Sequence, residues 1–204
     1  MSDLLNILII DSSCRIEGSY SRTLTRMVSE HYKKLSPSVN IVKRDVGRLP
    51  VNQPNEEWIT ANLTSPSDRT DDNRNALKLS DELIAELKMA DIVVFGCPMY
   101  NFNISASMKA YLDLVCRSGH TFDYGPSGPV GRLVDKKAII CTTSAGVASN
   151  SDGDFVSSYM KYVCGFIGIT DTVTVSANCL MTDPDAVMRD ANASINDISL
   201  GKNE

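Results

Sequence analysis

A cluster of serines near the start of the chain has the chemistry to bind an anion. Ser12, Ser13, Ser19 and Ser21 stand between the apolar run Leu4–Ile10 and a helical pattern. Serine hydroxyls and the unpaired N–H groups of a helix N-terminus are donors that suit a terminal phosphate monoester. A single serine would be enough to cap the helix. This segment alone therefore supports a phosphate site and a simple helix cap equally.

The same segment lacks the better known nucleotide-binding motifs. It contains neither the GxGxxG of Rossmann dinucleotide sites nor the GxxxxGKS/T of P-loop NTPases. Cys14 stands just after the first apolar run, where low-molecular-weight tyrosine phosphatases carry their nucleophile. That chemistry needs an arginine a short distance downstream to clamp the phosphate, and Tyr20 stands at that position. The sequence therefore argues against all three of these classes.

Two further segments carry residues suited to a flat ligand. Cys97–Asn103 follows the apolar run Ile92–Gly96 and holds a methionine and two aromatic residues between polar amides. Such side chains can pack against a heterocycle while backbone amides bond its edge, although a turn anchored by aromatic residues would have the same composition. Thr142–Gly146 follows another apolar run, and its small residues permit a ligand to approach the backbone closely.

Alternating β-prone runs and helical patterns determine where these segments lie. The predicted strands are Leu4–Ile10, Asn40–Asp45, Ile92–Gly96, Ala138–Thr142 and Thr172–Val175. The predicted helices lie around Leu24–Leu35, from Asn75 through Leu79, Leu83 and Leu87, from Ser105, around Val156–Val163, and over Pro184–Ile198. This alternation predicts one α/β domain over residues 1–204, with a doubly wound five-stranded parallel sheet between helical layers. Because ligands bind outside the carboxyl ends of such strands, the loops after strands one, three and four are expected to form one site.

Two stretches do not fit the alternation. Val46–Thr70 is rich in Pro, Asn, Asp and Ser, shows no clear period, and is predicted to be a long loop. His120–Gly131 is rich in glycine and proline and is predicted to be an excursion such as a hairpin. We expect His120 to be a solvated loop residue. His31, in a polar helical stretch, is expected to lie on the surface.

Composition excludes several function classes. The 204 residues carry a net charge of −5, without the concentrated basic face of a nucleic-acid binder. The apolar run Leu4–Ile10 is too short to span a bilayer, and Asp3 stands where a signal peptide would carry positive charge, so no membrane association and a cytoplasmic location are expected. The six cysteines form no CxxC pair, which predicts reduced thiols and no metal site.

One stretch carries a specific family resemblance. Pro98–Ser105, with the block Leu79–Leu87 before it and the blocks Gly119–Tyr124, Lys136–Ile139 and Gly165–Asp171 after it, resembles the FMN-dependent NADH:quinone reductases, also known as AcpD-type azoreductases. The resemblance implies a flavodoxin-like, three-layer fold, non-covalently bound FMN, NADH or NADPH as electron donor, small aromatic electron acceptors and a homodimer.

The resemblance also assigns roles to individual residues. For the phosphate side of FMN it implies Ser13, Ser19, Tyr20 and Ser21. Along the ribityl chain and isoalloxazine it places Met99, Tyr100, Asn101 and Phe102. The third loop would contribute Thr143, Ser144, Ala145 and Gly146, and the substrate face of the flavin would be lined by Phe122, Tyr124 and Phe166.

The third loop is where this chain departs from the family pattern. The family sequence Ser-Arg-Gly-Gly falls on Thr143–Gly146, so its arginine and one glycine are replaced. A family histidine just after this loop is also missing, since Val147 and Ala148 stand there. Backbone contacts to a flavin can survive these replacements, but the acceptor and the choice between NADH and NADPH stay open.

The implied activity is the transfer of two electrons from NAD(P)H to quinones and azo compounds by a ping-pong mechanism. The reaction takes place at flavin N5, so we expect no catalytic side chain. A flavodoxin-type electron carrier is the alternative, although such carriers dock through strongly acidic surfaces and a net charge of −5 is mild. A third possibility is a regulatory domain that binds no flavin.

Overall fold

A computed structural model describes residues 4–200 of the chain. The strands are β1 (Leu5–Asp11), β2 (Val39–Asp45), β3 (Ile92–Pro98), β4 (Phe122–Gly125), β5 (Gly128–Gly131), β6 (Lys137–Thr143) and β7 (Asp171–Ala177). The helices are α1 (Tyr20–Leu35), α2 (Glu56–Leu63), α3 (Asp71–Met89), α4 (Ala106–Val115), α5 (Phe155–Ile167) and α6 (Pro184–Asn196). A single 3₁₀ turn, Pro66–Asp68, stands between α2 and α3.

Five strands form one parallel sheet in the order β2-β1-β3-β6-β7. This is the doubly wound order in which the chain reverses its direction of winding between β1 and β3. Every residue of β3 is buried, as expected for a central strand covered on both faces, whereas the edge strand β2 is half exposed. The predicted flavodoxin-like, three-layer α/β fold is confirmed.

Alternate residues of the strands supply two separate apolar cores. One face of the sheet packs under α3, α4 and α5, through Leu8, Ile10, Val93, Phe95 and Ile140. The opposite face packs under α1 and α6, through Ile7, Ile9, Val94, Ile139 and Val175. The apolar runs in the sequence are continuous because each inner strand must present apolar side chains to the helices on both faces of the sheet.

The segment Val46–Thr70 was expected to be a loop, and that expectation was wrong. It contains α2 and the 3₁₀ turn. Asn55 caps α2 by accepting the N–H of Trp58, and acidic residues fill the first turn. Only Ala61 of this helix is fully buried, so there was no apolar stripe to reveal it.

The prediction for His31 was also wrong, because its ring is buried. His31 Nε2 lies 2.8 Å from the carbonyl oxygen of Ile198, just after α6. The excursion after α4 was predicted correctly, since β4 and β5 form an antiparallel hairpin that packs against α5. Within residues 4–200, no helix combines the length and the apolar character needed to cross a membrane.

Candidate functional site

A cleft of about 310 Å³ opens at the carboxyl ends of the parallel strands. Its lining comes from the loops after β1, β3, β6 and β7, namely Ser13, Arg15, Gly18, Ser19, Tyr20, Pro98, Met99, Tyr100, Thr143, Ser144, Ala145, Leu180 and Met181. A larger depression of about 660 Å³ lies between α2 and α3, but its walls are mostly acidic and amide side chains. The cleft at the sheet edge lies at the switch point of the winding, where doubly wound folds bind ligands, and is therefore the candidate site.

The loop after β1 is held against its neighbours by serine hydroxyls. Ser12 Oγ donates to the carbonyl of Gly96, 2.7 Å away, and ties the loop to β3. Ser13 Oγ accepts the N–H of Arg15 at 3.2 Å and lies 3.3 Å from the hydroxyl of Tyr100. That hydroxyl also accepts the N–H of Cys14 at 3.3 Å. The first and second loops therefore meet at Tyr100.

The N-terminus of α1 is not capped by a side chain. Ser19 occupies the N-cap position, but its Oγ pairs with Ser21 Oγ at 3.2 Å and makes no capping bond. The other five α-helices of the described chain are each capped by a side chain, from Asn55, Thr70, Ser105, Asp154 and Asp183. With no acidic residue in its first turn either, α1 keeps its N-terminal N–H groups and its positive dipole end available to an anion.

The resulting end of the cleft is positively charged. Among the lining residues of the described chain, Arg15 carries the only formal charge at neutral pH, and no carboxylate, histidine or lysine is present. Serine hydroxyls, helix N–H groups and one guanidinium form a donor set for a phosphate. The titratable side chains of the described lining are Arg15, Tyr20 and Tyr100, so it offers no carboxylate or histidine for general acid–base chemistry.

The loop after β3 forms the middle of the cleft through a tight turn. Met99 N–H donates to the carbonyl of Thr143 at 2.8 Å, which joins this loop to the end of β6. Asn101 and Phe102 have φ values of 48° and 71°, an uncommon left-handed conformation for two consecutive residues that are not glycine. The turn directs Phe102 outward with 57% of its surface exposed. Asn101 and Phe102 therefore stand beside the cleft, and neither lines it.

The loop after β6 forms the third wall together with a segment that sequence reasoning missed. Ser144 and Ala145 accept the N–H groups of Leu180 at 3.2 Å and Met181 at 3.0 Å. These bonds bring the loop after β7 onto the cleft, where Leu180 and Met181 add apolar surface. The rule that ligands bind outside the carboxyl ends of parallel strands applies equally to the loop after β7. That rule could have identified this segment from the sequence.

The predicted site residues fall into three groups. Those that line the cleft are Ser13, Ser19, Tyr20, Met99, Tyr100, Thr143, Ser144 and Ala145. Those that adjoin it without lining it are Ser21, Asn101, Phe102 and Gly146. Of the lining residues, Arg15, Gly18, Pro98, Leu180 and Met181 were not predicted individually.

The predicted substrate-facing aromatics lie elsewhere on the same molecule. Phe122 packs against Phe166 with ring centroids 4.4 Å apart and ring planes tilted by 46°, and it meets Tyr124 edge-on at 5.4 Å. This cluster joins the β4–β5 hairpin to α5, and none of its members lines the cleft. His120 is half-buried beside the hairpin, and burial together with the charge of Arg117 lowers its pKa.

Comparison with known proteins gives consistent matches over nearly the whole chain. A family model described as a flavodoxin-like fold matches residues 5–199. The sequence is 45% identical to FMN-dependent NADH:quinone oxidoreductase 1 of Hahella chejuensis over 193 residues, 94% of each chain. It is 43% identical to the protein of the same name from a Jannaschia species, covering 94% of this chain and 97% of that one. Among solved structures, an azoreductase from Bacillus anthracis superposes with a TM-score of 0.84 at 26% identity, covering 96% of this chain and all of that one.

Proposed function

Since the chain belongs to the flavodoxin-like FMN-dependent NADH:quinone oxidoreductases, we propose that it is an enzyme that binds FMN non-covalently and transfers two electrons from NADH or NADPH to small aromatic acceptors. Quinones and azo compounds are the proposed acceptor classes, because its relatives are named quinone oxidoreductases and its structural neighbours azoreductases. We propose residues 1–204 as one functional domain.

The observation that supports the proposal best is that one end of the cleft is suited to a phosphate and the rest of it to an apolar ring. One end presents the uncapped N-terminus of α1 with Ser13, Ser19 and Arg15, which suits a phosphate monoester. The rest of the cleft presents Pro98, Met99, Leu180 and Met181, which suit an apolar ring. FMN is a ligand with a phosphate at one end and a flat heterocycle at the other, so the residues present fit it.

The residues proposed to hold FMN are distributed along the cleft, from the phosphate to the ring. Ser13, Ser19 and Tyr20 would bind the phosphate, with Ser21 orienting Ser19 through the bond between their hydroxyls. Met99 and Tyr100 would flank the ribityl chain and the ring, with Asn101 and Phe102 beside them. Thr143, Ser144, Ala145 and Gly146 would contact the far side of the ring.

The protein's part in the reaction is to bind, orient and polarise. Bound FMN would supply the redox chemistry, taking a hydride from a nicotinamide and passing two electrons to the acceptor. The N–H of Ser144 is already bonded to the carbonyl of Ala177. The exposed backbone of Ala145 and Gly146 is therefore the part of this loop proposed to stabilise negative charge on the ring.

A single cleft supports a ping-pong mechanism. The donor and the acceptor are both flat, and the described residues offer one cleft at the carboxyl edge of the sheet. We propose that the nicotinamide product leaves before the acceptor enters. Parallel lines in initial-velocity plots would support this order, and intersecting lines would contradict it.

A second copy of the chain is proposed to complete the substrate face. Tyr124 and Tyr162 are 76% and 75% exposed, and Phe155 is 54% exposed, on the hairpin and α5. Exposed aromatic surface of this kind is typical of interfaces. A homodimer formed through this face would let the exposed Tyr124 serve a substrate site of the partner, with the buried Phe122 and the half-buried Phe166 packed behind it.

The visible spectrum of the purified protein followed by turnover assays tests the function. We expect a flavin spectrum, bleaching on anaerobic titration with NADH or NADPH, and steady consumption of the donor when a quinone is added. Flavin binding without turnover would favour an electron carrier instead. A protein that takes up no FMN would contradict the proposal and favour a regulatory domain.

A further inference from the structure

Arg22 binds the back of the phosphate-side loop without entering the cleft. Its Nη2 donates to the carbonyl of Ser13 at 2.7 Å, and its Nε donates to the carbonyl of Arg15 at 3.1 Å. The side chain is 16% exposed and does not line the cleft. One guanidinium therefore fixes two peptide groups of the same loop from behind.

Fixing these carbonyls also fixes the N–H groups of the same peptides. In a trans peptide the C=O and the following N–H point in opposite directions. A Ser13 carbonyl directed at Arg22 therefore turns the N–H of Cys14 toward the cleft. The observed bond from that N–H to the hydroxyl of the cleft residue Tyr100, 3.3 Å long, has this orientation. The Arg15 carbonyl orients the N–H of Ile16 by the same rule.

The guanidinium is itself held in place from the end of β2. Both oxygens of Asp45 accept from Arg22, at 2.6 and 2.7 Å, in a bidentate pair. Burial alone would raise the pKa of Asp45, but the hydrogen bonds from Arg22 and from the N–H groups of Arg48 and Gly47 hold that pKa below its ordinary value. The carboxylate therefore stays ionised and keeps Arg22 aimed at the loop.

Gly47 closes the other side of the Ser13 carbonyl. A Cβ at position 47 would lie 2.2 Å from that oxygen, so only glycine permits the loop backbone to pass there. The Ser13 peptide is thus confined between the Arg22 guanidinium and the backbone of Gly47. A peptide confined in this way has its donors preorganised before a ligand arrives.

We propose that Arg22 is a positioning residue that makes the cleft selective for the phosphorylated flavin over riboflavin. It would act by turning N–H groups toward the phosphate and keeping two carbonyl oxygens away from it. Its own charge is largely compensated by Asp45, so the effect comes from the orientation of peptides. This inference rests on the proposed function, because it presupposes that the cleft binds FMN.

The test compares the dissociation constants of FMN and riboflavin, measured by quenching of flavin fluorescence. Arg22→Ala is expected to weaken FMN binding about tenfold or more, since a hydrogen bond between an oriented N–H and a charged phosphate has an effect of about that size. Riboflavin has no phosphate, so its dissociation constant is expected to stay within about twofold of the wild-type value. Arg26→Ala is the matched control, because Arg26 stands one turn further along α1 in an exposed ion pair with Glu30 and should change neither constant.

Equal weakening of FMN and riboflavin binding in Arg22→Ala would reveal a merely structural role and overturn the inference. Unchanged dissociation constants for both flavins would also overturn it. If Arg22→Ala does not fold, Arg22→Lys decides, because one ammonium cannot hold two carbonyls and a carboxylate. Arg22→Lys is expected to bind FMN more weakly and riboflavin as tightly as the wild type. Wild-type affinity for FMN in this variant would overturn the inference. A wild-type protein that binds neither flavin would instead contradict the proposed function.

Discussion

The hydroxyl of Tyr100 lies 3.3 Å from Ser13 Oγ, and this contact joins the loop after β3 to the loop after β1. The same hydroxyl accepts the N–H of Cys14. A residue whose ring lines the middle of the cleft thus also touches the donors at its phosphate end. Tyr100 therefore couples the middle of the proposed FMN site to its phosphate end.

Tyr100→Phe should weaken FMN binding without abolishing it. The variant keeps the ring beside the flavin and removes a partner from Ser13 and from the Cys14 N–H. Without these bonds the donors must be ordered when FMN binds, at a cost of about 1 kcal/mol, so the dissociation constant should rise about fivefold. Fluorescence titration measures the change. Tyr32→Phe is the control, since its hydroxyl bonds the carbonyl of Ser199, and an equal rise there would contradict the role given to Tyr100.

Gly47→Ala should both destabilise the protein and disturb the phosphate end of the cleft. The new methyl would overlap the Ser13 carbonyl, and overpacking of this kind costs about 1–3 kcal/mol. Urea unfolding measures the destabilisation, and flavin titration should show weaker binding of FMN.

Gly165→Ala is the matched control for that substitution. Gly165 lies within α5, and a Cβ there meets nothing within 4 Å. Alanine in a helix is favoured over glycine by about 0.5–1 kcal/mol, so this variant should be slightly more stable than the wild type. A Gly47→Ala protein as stable as Gly165→Ala would refute the close approach of Gly47 to the loop.

Cys14 should be the fast-reacting thiol of the folded protein. It is exposed in the phosphate-side loop, whereas Cys116 and Cys179 are partly buried and Cys97, Cys141 and Cys164 are buried. Burial raises the pKa of Cys164 to about 12 and raises the pKa values of Cys97 and Cys141 well above that of an ordinary thiol. The thiolate is the reactive form, so these three stay protonated and unreactive at about pH 7–8.

Timed reaction with a chromogenic disulfide reagent at about pH 7.5 checks the assignment. One fast phase is expected, and Cys14→Ser should remove it. FMN should slow this phase if the phosphate binds against the backbone of the same loop, whereas riboflavin should slow it less. A fast phase that survives in Cys14→Ser would show that another thiol is accessible.

The sheet was predictable because each of its inner strands must be apolar on both faces. Ile92–Gly96 is recognisable for that reason, and chain order then places the loops after β1, β3 and β6 at one edge. Helix α2 was missed since its packing rests on Ala61 and the half-buried Trp58. His31 was misplaced because its partner, the Ile198 carbonyl, comes from the far end of the chain. Burial that depends on a distant segment leaves no local pattern.

The stabilisation from the Arg22–Asp45 pair should depend on pH in a defined direction. Asp45 has a pKa below its ordinary value in the folded protein, and about 3.9 when unfolded. Its contribution to stability is therefore complete above about pH 4 and disappears as the pH falls through the lower folded value. The difference in unfolding free energy between the wild type and Asp45→Asn should be about 1–2 kcal/mol at about pH 7 and should shrink below about pH 4.

A second carboxylate near Arg22 titrates in a different pH range. Asp11 lies 3.9 Å from Arg22, and burial raises its pKa above the ordinary value, whereas the pKa of Asp45 is lowered. Glu30→Gln supplies the control, because its exposed pair with Arg26 should contribute about 0.5 kcal/mol or less at any pH. Since Asp45 aims the guanidinium that orients the Ser13 peptide, FMN affinity should fall in the same pH range while riboflavin affinity holds. If stability changed with pH and the ratio of flavin affinities did not, Asp45 would support the fold without orienting the phosphate-side loop.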